Sequence, residues 1–270
     1  MRLRDKVFVV TGGGNGIGRQ VVLALLARGA RVAAVDLRHE GLAETTALAG
    51  TNASRLSTHA LDVADRAGVA ALPDAVIAAH GQVDGLLNVA GIIQRFVPFA
   101  ELDYLDIEKV MDVNFWGVVN TCKAFLPVLL TRPEAAIVNV SSMGGFAPVP
   151  GQTIYGASKA AVKLFTEGLY AELRTTPVAV TVVFPGAVST HITENSGVSI
   201  PGGEDAAAQD PPMPMTSAAD AAQQILKGLE KGSYRVLVGK DARGLDALAR
   251  LAPRRATELI AKKMAALVQG

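Results

Sequence analysis

The chain has 270 residues, half of them hydrophobic, and a formal net charge of +1. Its length fits one large α/β domain or two small ones, and its balanced charge gives no indication of a nucleic-acid partner. The single cysteine, Cys122, excludes an intrachain disulfide framework and fits a core position in a reducing compartment. The first predicted strand begins at residue 7, so we expect no signal peptide, and no apolar run approaches the roughly 20 residues that span a bilayer. We therefore expect a cytoplasmic protein without an integral membrane segment.

Short apolar runs alternate with segments of helical periodicity along the chain. The predicted strands cover residues 7–11, 31–35, 55–61, 84–89, 136–140, 178–184 and 234–238. The predicted helices cover residues 19–27, 66–80, 105–130, 157–174, 218–230 and 244–268, with an interruption at Pro253. This alternation predicts a single doubly wound Rossmann domain over residues 1–270, with a parallel sheet of about seven strands and helices on both faces.

Two segments stand apart from this alternation. Residues 191–216 are rich in Gly, Pro, Ala and Met and predict one long irregular segment, which in a compact domain is typically a substrate lid or a disordered loop. Residues 243–270 predict a helical tail with apolar and basic residues. That tail either packs on its own or a partner subunit, or it lies on a membrane surface.

A glycine-rich run from Thr11 to Gly18 separates the first strand from the first helix. Its spacing, with Gly12, Gly16 and Gly18, is not the usual G-x-G-x-x-G, and a tight turn with positive φ would explain some of these glycines. The run holds more glycines than a turn requires. We therefore favour a pyrophosphate site, where bare backbone N–H groups and a helix N-terminus face the phosphates.

Asp36 follows the second strand, near the spacing at which a dinucleotide site places its acidic residue. There it can accept hydrogen bonds from both adenosine ribose hydroxyls and repel a 2′-phosphate, which favours NAD over NADP. Arg38 weakens that preference, because a nearby guanidinium could bind the phosphate. Asp36 could alternatively cap the helix that follows.

Ser142 follows the fifth strand, and Tyr155 and Lys159 lie one helical turn apart. A tyrosine titrates near 10, but an ammonium one turn away would lower that pKa. Tyr155 could then exchange a proton with an alcohol while Ser142 holds the substrate oxygen. The tyrosine–lysine pair is a weak signal alone, because exposed pairs of this kind occur on many helices.

The positions of several residues strengthen that interpretation. Each lies at the carboxyl end of a predicted strand, where ligands bind in a fold of this kind. These residues are Gly12, Asp36, Asp62, Asn88, Ser142 and Pro185.

Two other sets of polar residues are less informative. Asn114 lies in the middle of a predicted helix, where asparagine is disfavoured, so it is either a buried polar plug or a functional group. The histidines are scattered and lack ligand spacing, so no metal site is predicted. They are His39, His59, His80 and His191.

With these residues placed, the stretch 6–190 resembles the classical short-chain dehydrogenase/reductase family, and the remainder resembles it more loosely. The resemblance is carried by the Thr11–Gly18 run, Asn88-x-Ala90-Gly91, Asn114, Ser142, Tyr155-x-x-x-Lys159 and Pro185-Gly186. Val89 stands where the family usually has a second asparagine. That change leaves Asn88 and the backbone of Ala90 and Gly91 in place.

The resemblance implies a role for each matching residue. Tyr155 would be the acid/base, Ser142 would polarise the substrate oxygen, and Lys159 would bind the nicotinamide ribose and lower the pKa of Tyr155. Asn114 would hold a water in a proton relay. The implied cofactor-binding set is Thr11, Gly12, Asn15, Gly16, Ile17, Gly18, Asp36, Asp62, Val63, Asn88, Ala90, Gly91, Tyr155, Lys159, Pro185, Gly186, Val188 and Thr190.

The residues expected to face the substrate are mainly apolar and uncharged. They are Ile93, Gln94, Gly144, Phe146, Val149, Gln152, Ala187, Met213 and Met215. This composition favours a neutral, lipophilic secondary alcohol or ketone, steroid-like or alkyl. The alternative is that the apolar positions belong to the hydrophobic core. Arg95 could pair with an acidic substrate or remain solvated.

These observations favour an NAD-dependent alcohol dehydrogenase or ketone reductase that acts on a small molecule. The resemblance implies a homotetramer or homodimer, built through the helices that hold Asn114 and Tyr155. Two alternatives stay open: an NADPH-dependent ketoacyl-type reductase, and a non-catalytic dinucleotide sensor or scaffold. A sensor is expected to have lost Ser142, Tyr155 or Lys159, and all are present.

Overall fold

The computed structural model describes residues 1–190, 192–198 and 215–265. Seven strands form the main sheet and two very short ones form a separate ribbon. In chain order they are β1 (Val7–Thr11), β2 (Arg31–Asp36), β3 (Leu56–Ala60), β4 (Gly85–Asn88), β5 (Ala135–Val140), β6 (Val178–Pro185), β7 (Val188–Ser189), β8 (Thr216–Ser217) and β9 (Arg235–Val238).

The α-helices alternate with these strands through most of the chain. They are α1 (Gly16–Ala27), α2 (His39–Ala49), α3 (Arg66–His80), α4 (Tyr104–Met111), α5 (Gly117–Leu130), α6 (Thr153–Glu172), α7 (Ile192–Ser196), α8 (Ala218–Lys231), α9 (Lys240–Leu251) and α10 (Pro253–Lys263).

The main sheet is parallel throughout and has the order β3-β2-β1-β4-β5-β6-β9. The prediction of a doubly wound parallel sheet of about seven strands is therefore confirmed. The strand order reverses between β1 and β4, where Thr11 pairs with Asn88. A crevice opens at such a switch point, outside the carboxyl ends of the strands.

The sheet is buried on both faces because helices cover each side. Within β1, Phe8 and Val10 face one hydrophobic cluster, while Val7 and Val9 face the other. This burial on both faces explains why the central strands have continuous apolar runs instead of alternating patterns.

Several helices begin earlier than the apolar periodicity predicts. Helix α1 begins at Gly16 because the Asn15 side chain caps it, accepting the Gly16 N–H at 2.6 Å. Helix α6 begins at Thr153, which places Tyr155 in its first turn. Helix α2 was not among the predicted helices, and its apolar stripe is narrow.

The predicted helix over residues 105–130 is interrupted by a π-helical turn at Asp112–Trp116, which joins α4 to α5 and contains Asn114. Such turns insert an extra residue into the hydrogen-bond ladder and are frequent at functional sites. Among the described residues, the stretch Tyr104–Leu130 alone is long and apolar enough to cross a membrane, contrary to the expectation from sequence. Phe125 and Leu129 on it are fully buried in the hydrophobic core, as expected of a core helix.

The segment 191–216 is less irregular than predicted. It includes α7, and β8 near its end pairs in parallel with β7. Residues 199–214 lie outside the described part, so the proposed lid stays a prediction. In the C-terminal tail the expected break is confirmed, because Pro253 occupies the first turn of α10, where its missing N–H costs nothing.

Candidate active site

The glycine-rich turn after β1 packs too closely for side chains. A Cβ on Gly18 would lie 2.0 Å from the carbonyl oxygen of Gly12, and one on Gly12 would lie 3.0 Å from the backbone of Ala90. Gly12 and Gly16 also have positive φ angles of 69° and 51°. The turn therefore brings bare backbone to the N-terminus of α1, an arrangement suited to a phosphate group.

Thr11 joins the turn to the end of β4. Its hydroxyl oxygen accepts hydrogen bonds from the N–H groups of Val89 and Ala90, at 3.0 and 3.1 Å. Thr11 is itself buried and does not line the cleft. It acts on the site by holding the two sides of the switch point together.

Asp36 at the end of β2 faces the same turn. One carboxylate oxygen accepts the Gly14 N–H at 2.9 Å, and the other accepts the Arg38 N–H at 3.0 Å. Arg38 also lines the cleft, and its guanidinium donates to the side-chain oxygen of Asn195 in α7 at 2.6 Å. Asn15 donates to the same Asn195 oxygen at 3.2 Å.

Lys159 is buried, with 3% of its surface exposed. Its Nζ donates to the carbonyl oxygen of Val140 at 3.1 Å and lies 6.0 Å from the centre of the Tyr155 ring. Burial lowers the pKa of Lys159 to about 8, because the charged ammonium loses solvation. The hydroxyl of Ser141 fixes the helix at this point by donating to the carbonyl oxygen of Lys159 at 2.7 Å.

Tyr155 and Ser142 are hydrogen-bonded to each other. Burial raises the pKa of the Tyr155 phenol above its ordinary value, and the hydrogen bond to Ser142 lowers it in part. Lys159 is not among the groups that shift the pKa of Tyr155 in this geometry, so the lowering by Lys159 expected from sequence does not appear here. Gly144 lies beside both groups: a Cβ there would sit 3.4 Å from Ser142 Oγ and from Tyr155 Cε1.

Asn114 connects the loop after β4 to α6. Its Oδ1 accepts the Ile92 N–H at 2.9 Å, while its Nδ2 donates to the Ile92 carbonyl at 2.9 Å and to Ser158 Oγ at 3.0 Å. A Cβ on Gly91 would lie 3.0 Å from Lys159 Nζ and 3.2 Å from Asn114 Oδ1. The glycine thus lets the loop approach both side chains.

Most of the predicted site residues meet in one cleft of about 860 Å³ at the carboxyl ends of the strands. The predicted residues that line it are Gly12, Asn15, Gly16, Ile17, Gly18, Asp36, Asp62, Val63, Ala90, Gly91, Ile93, Ser142, Tyr155, Lys159, Pro185, Gly186, Val188 and Thr190.

Asn88 departs from its predicted place among the cofactor-binding residues. Its amide donates to Asn139 Oδ1 at 2.9 Å and accepts from Thr121 Oγ1 at 2.8 Å, so the side chain faces a buried polar network. Cys122 Sγ borders that network, and burial raises the pKa of its thiol to about 12. The core position predicted for Cys122 is confirmed, and Asn88 fixes the strand ends.

The residues predicted to face the substrate divide into two groups. Ile93 lines the cleft, and Gly144 lies against Ser142 and Tyr155. Gln94 and Gln152 are buried and hydrogen-bonded within the protein. The Phe146 ring packs against Phe184, with ring centroids 5.4 Å apart.

Four further positions were predicted to face the substrate, and none of them lines the cleft among the described residues. The Val149 carbonyl accepts the Gln152 N–H at 3.0 Å. The Ala187 N–H donates to Asp241 at 2.7 Å, and Met215 is exposed. Met213 lies outside the described residues.

Sequence reasoning missed three polar residues that touch the predicted site. Asn195 contacts Arg38 and Asn15, Ser196 accepts the Ile93 N–H at 3.0 Å, and Asp241 accepts the Ala187 N–H. Asp241 follows the carboxyl end of β9, so the strand-end rule applied to the other strands points to it as well. Asn195 and Ser196 carry no such signal, because they lie within the segment predicted to be irregular.

Two of the four histidines are close together, contrary to the expectation that all are scattered. The Nε2 atoms of His59 and His80 lie 2.9 and 2.8 Å from Ser57 Oγ. Burial lowers the pKa of both imidazoles. The described residues contain no group of three or more potential metal ligands.

The site residues fit a nicotinamide dinucleotide. The glycine-rich turn leaves space for the pyrophosphate beside its backbone N–H groups, because its glycines have no side chains. Asp36 presents a carboxylate suited to ribose hydroxyls, and Asp62 and Val63 line the same cleft. The catalytic candidates Ser142, Tyr155 and Lys159 line the same cleft.

Comparison with known proteins agrees with this geometry. The chain matches the short chain dehydrogenase family over residues 6–199. A Mycobacterium tuberculosis protein that carries the name oxidoreductase SadH is 42% identical over 252 residues, covering 91% of this chain and 90% of that protein.

Two solved structures share the fold over nearly the whole chain. A short chain dehydrogenase/reductase from Burkholderia phymatum, in complex with NAD, has a TM-score of 0.84 and 27% identity, covering 96% of each chain. A short chain dehydrogenase from Burkholderia cenocepacia J2315, in complex with NADP, has a TM-score of 0.80 and 28% identity, covering 96% of this chain and 99% of that one. These comparisons show that the chain is an oxidoreductase of the short-chain dehydrogenase/reductase family.

Proposed function

We propose that the protein is an NAD-dependent dehydrogenase/reductase that interconverts a lipophilic secondary alcohol and its ketone. The observation that carries this proposal is the meeting of Ser142, Tyr155 and Lys159 in the cleft that also contains the glycine turn. Asn114 supports that arrangement through the Ile92 backbone.

Tyr155 handles the proton in this proposal. Its phenol donates to the carbonyl oxygen during reduction and accepts from the hydroxyl during oxidation, while Ser142 holds the same oxygen. Lys159 retains its proton at neutral pH with a pKa of about 8, so its ammonium is available to donate a hydrogen bond to the nicotinamide ribose. The nicotinamide supplies or accepts the hydride when it is bound.

The preference for NAD is supported by the environment of Asp36. Two backbone N–H groups fix its carboxylate beside the glycine turn, where the negative charge disfavours a 2′-phosphate. Arg38 supports NADP binding less than its position in the sequence suggests, because Asn195 holds its guanidinium.

The lipophilic substrate class is supported by apolar side chains in the cleft walls. Ile92, Ile93 and Ile192 are among the residues that line the cleft. Arg95, the cation that could have recruited an acidic substrate, instead forms ion pairs with Asp103 and Asp106 at 2.9 and 2.8 Å.

We also propose that the protein is a homodimer or homotetramer built through the helices around Asn114 and Tyr155. Trp116 and Leu164 lie on these helices with 43% and 69% of their surfaces exposed, so both apolar side chains are accessible to a second subunit. Light scattering should show that Leu164→Glu lowers the oligomer mass. Leu48→Glu on α2, also an exposed leucine, serves as the matched control and should leave the mass unchanged.

The test of function is a set of initial rates on lipophilic secondary alcohols and ketones with NAD(H) and NADP(H). Tyr155→Phe should reduce kcat/KM by about 100-fold or more while NADH binding is retained. Tyr170→Phe is the matched control. Tyr170 lies on the same helix, but its ring packs against Tyr234 and it does not line the cleft. Activity only with NADPH on acyl-carrier substrates would favour the ketoacyl-type reductase. Tight NADH binding without turnover on any substrate would favour the sensor.

A further inference from the structure

The first turn of α6, which contains Tyr155, is capped by a side chain from a distant loop. Gln94 Oε1 accepts the Ile154 N–H at 2.8 Å and the Tyr155 N–H at 3.0 Å. The residue at the N-cap position, Gln152, makes no capping hydrogen bond to the first turn. Since the first N–H groups of a helix have no partner within the helix, Gln94 supplies the acceptor that they lack.

Resting on the proposed role of Tyr155, we propose that Gln94 is a positioning residue that fixes the Tyr155 backbone through a neutral acceptor. Because the N–H of Tyr155 itself donates to Gln94, a displacement of the Gln94 side chain displaces the Tyr155 backbone and its phenol. Displacements of about 1 Å at a reacting group can lower a rate by about 100-fold.

The connection between Gln94 and α6 is reciprocal. Gln152 Nε2 donates to the backbone carbonyl of Gln94 at 2.8 Å, so each glutamine binds the other's segment. The same loop is held by Asn114 at Ile92. Two sets of hydrogen bonds, joined by the backbone of residues 92–94, therefore link Asn114 in the π-helical turn to Tyr155.

The orientation of both side-chain amides follows from their partners. Gln94 must present its oxygen to the two N–H groups, and Gln152 must present its nitrogen to the carbonyl. Gln94 Nε2 and Gln152 Oε1 are then buried without a hydrogen-bond partner. An unsatisfied buried polar atom is destabilising, so stability alone does not explain a glutamine at position 94.

Glutamate would supply the same accepting oxygen without an unsatisfied donor. It would also place a negative charge beside Tyr155, which disfavours the phenolate and raises the pKa of the phenol. Glutamine is the side chain of this length that caps the helix and stays neutral. The proposal therefore gives different expectations for glutamate and methionine at this position.

The experiment compares Gln94→Met, which removes the acceptor but keeps the side-chain length, with Gln94→Glu, which keeps the acceptor. For Gln94→Met we expect kcat to fall by about 100-fold, with the KM for NADH changed by less than about 2-fold. Hydrogen exchange at the Ile154 and Tyr155 amides should become faster. For Gln94→Glu we expect both amides to stay protected and the pH dependence of kcat for oxidation to shift to higher pH.

Gln82→Met is the matched control, because Gln82 also uses both ends of its amide, with Asp84 and Arg132, but lies away from the cleft. It should leave kcat and the exchange of the two α6 amides unchanged. Unchanged kcat and exchange in Gln94→Met would overturn the proposal, as would an unshifted pH profile in Gln94→Glu. A wild-type protein without turnover would refute the proposed function instead, while the exchange measurement would still decide whether Gln94 caps α6.

Discussion

Asp36 accepts the backbone N–H of Gly14 at 2.9 Å, so the acidic residue after β2 is tied directly to the glycine-rich turn after β1. This contact has two consequences that a substitution can separate. The oxygen positions the turn, and the negative charge selects against a 2′-phosphate. Asparagine retains an accepting oxygen and removes the charge.

We predict that Asp36→Asn lowers the NAD-to-NADP ratio of kcat/KM by about 10-fold or more, as expected for a change of about 1.4 kcal/mol in transition-state binding. Steady-state rates with both cofactors measure this ratio. The double variant Asp36→Asn/Arg38→Ala should keep most of the gained NADP activity, because the Arg38 guanidinium is bound to Asn195 and contributes little to phosphate binding. An unchanged ratio in Asp36→Asn would refute this account of cofactor choice.

Burial of the Lys159 ammonium predicts a cost in stability. The pKa of Lys159 is lowered to about 8 in the folded protein, against about 10.4 in an unfolded chain. Between these two values the unfolded chain binds more protons, so the free energy of unfolding rises as pH increases through that window. At neutral pH the shift corresponds to about 3 kcal/mol of destabilisation.

Lys159→Met should therefore be more stable than the wild type at pH 7, by up to about 3 kcal/mol, while losing activity. The difference should shrink as pH rises from about 8 to 10. Denaturant unfolding at several pH values measures it. Lys163→Met removes a partly exposed lysine from the same helix and should show no comparable gain. A Lys159→Met variant that is less stable at pH 7 would contradict the prediction.

The sequence predicted the sheet and most of the site because both follow from local rules. Buried parallel strands have apolar runs, and the residues just after them meet at one edge of the sheet. Gly12, Asp36, Ser142 and Pro185 were found in this way, and all line one cleft. The lysine and tyrosine one turn apart also lie in it.

The remaining features depend on contacts between distant segments, which no local pattern records. Asn88 has the position of a ligand-binding residue but faces Asn139 and Thr121, because the neighbouring strand and helix supply its partners. Gln94 was predicted to face substrate, yet it caps a helix about sixty residues away. In both cases the residue type indicated a polar role, but the partner could be identified only from the fold.

The first turn of α9, which follows β9, contacts the loop after β6 beside the candidate cofactor site. Asp241, in the first turn of α9, accepts the Ala187 N–H at 2.7 Å. Its other carboxylate oxygen is buried without a hydrogen-bond partner. A Cβ on Gly186 would lie 2.1 Å from the carboxylate, so the loop after β6 packs directly on it.

We predict that Asp241→Ala raises the Kd for NADH by about 10-fold, because it releases the loop whose neighbours Pro185, Val188 and Thr190 line the cleft. Fluorescence titration with NADH measures this affinity. Asp241→Asn keeps one accepting oxygen for the Ala187 N–H and should retain most of the affinity for NADH. Asp220→Ala, which removes an exposed carboxylate at the start of α8, should have no effect on NADH binding. If Asp241→Ala binds NADH as tightly as the wild type, α9 does not contribute to the candidate cofactor site through this contact.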